Sequence, residues 1–64
     1  MEIKILRIRK GIKLKDLAEK VGISREYLRQ IENETANPSK RIMQSIAKEL
    51  GSSVQELFFT IGDK

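Results

Sequence analysis

Arg25, Glu26, Arg29 and Gln30 fall at i, i+1, i+4 and i+5 of one short stretch. On a helix those positions share one side. Their end groups match the base-pair edges presented in the major groove of B-DNA. Arginine pairs bidentately with guanine, glutamine pairs with adenine, and glutamate accepts from cytosine N4. Tyr27 projects partly toward the same side. On an isolated helix such a surface would signify only solvation, so its meaning depends on the frame that carries it.

That frame is residues 14–33. Leu14, Leu17, Ala18 and Val21 stand at i, i+3, i+4 and i+7, one apolar stripe, so a helix is expected over Leu14 to Val21. Gly22 ends it, because a left-handed residue is cheap only for glycine. Ser24 is a good N-cap for a following helix, Arg25 to Asn33, whose Leu28 and Ile31 face inward. Small Ala18 stands where the two helices approach, Gly22 makes the turn, and Ile23, Leu28 and Ile31 fill the angle. These are the requirements of a helix-turn-helix, and all the constrained positions agree.

Three more helices complete the chain. One covers Ile3 to Lys10 with Ile3 and Leu6 inward and Gly11 as its stop. After a polar loop, Glu34 to Pro38, another covers Ser39 to Leu50 with Met43, Ile46, Ala47 and Leu50 inward and Gly51 after it. Ser53-Val54-Gln55-Glu56 matches a capping box opening a short fifth helix, with Leu57 and Phe58 inside. The expected core adds Val54 to these residues. The fold class is all-α, a compact five-helix unit, and residues 60–64 read as a frayed tail.

Composition narrows the function. Sixty-four residues make one small domain, spanning 1–64. The absence of Cys and His excludes disulfides, Cys/His zinc sites and Ser-His-Asp triads. No metal or cofactor is expected, and no enzymatic role. Asp16 and Glu19, three apart, are expected to offset neighbouring lysines. No apolar run is long enough to span a membrane and no signal peptide is visible, so the cytoplasm is the expected compartment. The net charge is +4, and all of it lies in residues 1–33, with nine basic and five acidic groups; residues 34–64 balance. A basic half suits a polyanion. RNA is the weaker match, since RNA readers stack bases on aromatic rings and this surface offers only Tyr27.

The runs Gly11 to Ser24, Ile31-Glu32-Asn33, Asn37-Pro38-Ser39 and Ile46 to Gly51, leading to Glu56-Leu57-Phe58, resemble the Cro and lambda-repressor (XRE-like) helix-turn-helix family. The likeness covers residues 3–58, in order and in spacing. Leu14 and Tyr27-Leu28 are closer to the branch of a biofilm regulator of bacilli than to phage repressors. The resemblance implies a lambda-repressor-like fold, double-stranded DNA as partner, a dimer on a palindromic operator, and a regulator of transcription, usually a repressor. It implies an ion pair, Arg7 with Glu32, tying the first helix to the third. Gln30 matches a base-reading glutamine of some phage repressors, and Asn33 a residue that contacts backbone phosphate. By their own chemistry Arg25, Glu26 and Arg29 join Gln30 as expected base contacts, and Ser24 and Tyr27 join Asn33 as expected backbone contacts.

Some positions depart from the family. Lys13-Leu14 replaces the common Ser/Thr-Gln, so the cap of the second helix and a phosphate-holding glutamine are lost. Lys13 and Lys15 are the expected substitutes, as point charges. Glu34 stands where glycine is common, which leaves the exit from the third helix open to change. Lys40 replaces an inward leucine and is expected to lay its stem on the core. Ile5, Ile8, Ile42, Phe59 and Ile61 lack an inward slot, and Phe59 and Ile61 are the expected dimer contacts. The alternative function is an antitoxin-like or other protein-interaction module that also binds DNA.

Overall fold

The computed structural model describes residues 2–59. Five helices follow one another: α1 (Glu2–Arg9), α2 (Leu14–Val21), α3 (Arg25–Glu32), α4 (Lys40–Glu49) and α5 (Val54–Phe58). All of the described regular structure is helical, and α2 packs on both α3 and α4 while α1 packs on α3 and α5. Among the described residues, no helix is long and apolar enough to cross a membrane.

Each helix is too short to persist alone in water, so burial of its apolar stripe must hold it. Ile3, Leu17, Leu28, Ile31, Ile46 and Leu50 are fully buried, and Ala18, Ala47 and Leu57 close the core around them. Ala18, with no more than a methyl group, lies buried in the face that α2 turns to its neighbours. Leu6, Leu14, Val21, Ile23, Val54 and Phe58 pack on this core from its rim.

Two positions on α4 exchange roles relative to expectation. Ile42 packs against the core, whereas Met43, expected inside, is half-buried beside Phe58 and Phe59 in a surface groove. Ile46, Ala47 and the C-cap Leu50 are the buried positions here, and Ile42 continues the row of Ile46 and Leu50 at steps of four, with Met43 on its flank. Lys40, the first residue of α4, is exposed. Ile12, Tyr27 and Ala36 also pack on the core, adding apolar contact from residues outside the stripes.

Three helix starts, those of α3, α4 and α5, are capped by serines. Ser24, Ser39 and Ser53 accept from the amides of Tyr27, Ile42 and Glu56 at 3.0, 3.3 and 3.1 Å. Only half of the expected capping box forms at α5: the Glu56 carboxylate accepts from the Ser52 hydroxyl at 2.9 Å instead of returning to Ser53. Lys13 stands at the N-cap of α2 and supplies no side-chain bond, as its chemistry dictates.

One closure ends α1, α2, α3 and α4. After α2, the Gly22 amide reaches back three residues to Glu19 and the Ile23 amide five residues to Ala18, the pairing of a Schellman turn. The same pair of bonds follows α1 (Gly11 to Ile8, Ile12 to Arg7) and α4 (Gly51 to Lys48, Ser52 to Ala47). It also follows α3, where Glu34 bonds to Ile31 and Thr35 to Gln30. The turn requires a left-handed residue, and Glu34 supplies it at φ +62°, beside Gly22 at +85°. The exit from α3 therefore keeps the common geometry, with the strain carried by a glutamate.

Candidate nucleic-acid interface

The interface is built on α3. Leu28 and Ile31 fix its inner face in the core, and Glu32 is buried at its last turn. Arg25, Glu26, Arg29 and Gln30 are all exposed, so the four share the opposite side. Tyr27 lies between the two faces, half-buried against the core. Ser24 sits at the N-cap with its oxygen engaged by the Tyr27 amide, and Arg25 is the first helical residue after it. Asn33 is exposed at the C-cap. Lys13 and Lys15 are exposed at the start of α2.

What holds α3 in place is a polar clamp. Nε of Arg7 donates to Oε2 of Glu32 at 2.7 Å, and Nη2 donates to Oε1 at 3.3 Å. Nη1 donates to the Ile12 carbonyl at 2.9 Å. One guanidinium therefore joins α1, the turn into α2, and the end of α3. Both residues are buried, 9% exposed for Arg7 and 8% for Glu32. A charge buried this far is tolerated only when paired and hydrogen-bonded. Among the described residues, every buried side-chain polar atom has a partner. The contact to Ile12 was not legible beforehand: a carbonyl acceptor leaves no mark in residue type.

On the outer side, Nη1 of Arg29 lies 3.6 Å from Oε1 of Glu26, one turn earlier, with both side chains largely exposed. The acidic Glu26 lies in the first turn and the basic Arg29 in the last, each at the end of the helix dipole that favours it. Phe59, the C-cap of α5, is exposed beside the groove formed by Glu34, Ala36, Asn37, Pro38, Met43 and Phe58. Ile61 lies outside the described residues. Among the described residues, Ile5 and Ile8 are the other large exposed apolar side chains, both on α1.

This arrangement matches known proteins. A helix-turn-helix family model matches residues 3–57. The HTH-type transcriptional regulator SinR of Bacillus subtilis (strain 168) is 41% identical over 56 residues, 86% of this chain and 50% of its own length. The HTH-type transcriptional regulator DdrOP3 of Deinococcus deserti is 40% identical over 52 residues, 81% of this chain and 40% of its own. The chain thus spans about half the length, or less, of these two curated relatives. A solved SinR protein/SinI protein complex includes a chain that superposes with a TM-score of 0.81 at 37% identity, covering 91% of this chain and 57% of that one. The chain belongs to the XRE-type helix-turn-helix family, with the all-α lambda-repressor-like fold.

Proposed function

We propose that this chain is the DNA-reading unit of a cytoplasmic transcriptional regulator, one domain over residues 1–64, acting as a repressor dimer on a palindromic operator. The observation that carries the reading is the two-sidedness of α3. Its inner face is fixed by Leu28, Ile31 and the Arg7–Glu32 fork, while its outer face offers Arg25, Glu26, Arg29 and Gln30 to solvent. A helix held this way enters a major groove with its N-terminal residues at the base edges. Arg25, Glu26, Arg29 and Gln30 then read bases, while Lys13, Lys15, Ser24, Tyr27 and Asn33 hold the backbone. The clamp fixes the angle at which the helix enters.

Size supports the dimer reading on a two-half-site operator. Successive half-sites on one face of a duplex lie about 34 Å apart. The described residues measure 32 × 22 × 18 Å and carry one α3, so reading both half-sites takes two copies. Phe59 and Ile61 are the proposed contacts between them. The reading includes no catalytic role.

Exposed Ile5, Ile8 and Phe59 favour a second reading, a protein-interaction module that also binds DNA. The complex of the similar SinR protein with SinI protein supports a protein partner.

Fluorescence anisotropy with a labelled duplex across a salt series tests the DNA reading. The logarithm of affinity should fall linearly with the logarithm of salt, with a slope of about −0.9 per phosphate contacted. Lys15→Ala should flatten that slope by about one unit and weaken all sequences alike. Absence of binding at low salt would remove the reading; a change of preferred sequence in Lys15→Ala would remove Lys15 from the backbone set.

A further inference from the structure

The outer face of α3 contains one carboxylate, Glu26, on a surface otherwise made of Arg25, Arg29 and Gln30. Its partner is Arg29, 3.6 Å away across one helical turn. Exposed pairs at this spacing add little to stability, so the fold does not depend on it. Near DNA the carboxylate is a liability, because phosphates repel it. One major-groove group rewards it well: the cytosine N4 amino group, a donor with no acceptor on its own base along that edge. Adenine also offers an amino donor, but its N7 acceptor lies alongside and opposes a carboxylate.

We propose that Glu26 is a specificity-determining residue that acts through Arg29, the two being read as one unit. This rests on the assignment of α3 to the major groove. On arbitrary sequence, Glu26 holds the Arg29 guanidinium and opposes its transfer to phosphate. Opposite a cytosine, the N4 amino group donates to Glu26. The guanidinium has five N–H donors in a fixed fork, so donors not turned to Glu26 remain for O6 and N7 of a neighbouring guanine. Arg29 thus gains its base partner where Glu26 gains its own, and wrong sequence is penalised by an unpaired carboxylate.

The test uses Glu26→Gln, which keeps shape and removes charge. Wild type and variant are taken through selection from a random duplex pool, then titrated on the selected duplex and on a random one across salt. Glu26→Gln should bind the random duplex about three- to tenfold more tightly, with a salt slope steeper by about one unit. Its preference for selected over random duplex should fall about tenfold, and one position per half-site should change from cytosine to adenine, the base a glutamine pairs with. In an Arg29→Gln background the gain on random duplex should shrink toward none, which a mere loss of repulsion would not do. Melting curves confirm that each variant is folded. Unchanged affinity and unchanged base preference in Glu26→Gln would overturn the proposal, as would equal weakening on both duplexes. A wild-type chain that binds duplex with no sequence preference would instead overturn the placement of α3 in the groove.

Discussion

Arg25 is the first residue of α3 after its cap, where a recognition helix reaches deepest into a groove. A bidentate arginine–guanine pair is worth about 1–3 kcal/mol of discrimination. Arg25→Ala is therefore expected to lose about 10- to 100-fold on the selected operator and much less on random duplex. Its melting temperature should stay near wild type, since an exposed side chain buries little. Early melting, or equal loss on both duplexes, would make Arg25 structural or phosphate-holding. The outer quartet was legible in the sequence because residue type and helical spacing together fix which groups share a side. Arg7 was not legible in that way. It stands on the inner side of α1 with Ile3 and Leu6, where periodicity asks for an apolar residue, while Ile5 and Ile8 face out. Only the family resemblance pointed to its pairing with Glu32.

At the scale of elements, glycines and serines punctuated the sequence clearly enough to separate all five helices. The exit from α3 was the obscure one, because a glutamate occupies the left-handed position of the same turn that glycine closes elsewhere. A left-handed L-residue costs about 1–2 kcal/mol, partly offset by the extra freedom glycine has when unfolded. Glu34→Gly should stabilise the fold by about 0.5–1 kcal/mol, raising the melting temperature by a few degrees. A lower melting temperature would mean that contacts of the Glu34 side chain outweigh its backbone strain. The Arg7–Glu32 clamp gives the opposite case. Arg7→Ala leaves a carboxylate buried without its partner, which costs about 3–5 kcal/mol. In so small a domain that approaches the whole stability. Replacing both residues, Arg7→Met with Glu32→Leu, should cost much less by urea denaturation, because no charge is stranded. Equal loss in the single and double variants would show that the clamp acts by packing alone. Exchange of Ile42 for Met43 on α4 escaped the sequence for a different reason. Both fit an apolar stripe at helical spacing, and only the direction of the neighbouring helices selects the row 42, 46, 50.

For the whole molecule, a buried framework presents one helix, and the proposed dimer would present two. Overpacking the framework should affect function only through folding. Ala18→Leu fills the crossing of α2 and should destabilise by about 1–3 kcal/mol. Once corrected for folded fraction, its affinity for selected and random duplex should match wild type. A changed base preference in that variant would mean that the α2–α3 angle is adjustable rather than fixed. Self-association leaves little mark in residue type, since an exposed apolar residue such as Phe59 has many roles on a protein surface. Selection of bound sequences from a random duplex pool, followed by footprinting of the winners, tests the account most directly. The expected result is an inverted repeat whose half-sites lie about 10 bp apart, centre to centre, protected together and lost together when either half is changed. Enrichment of no sequence, or full protection of one isolated half-site independent of a second, would contradict it.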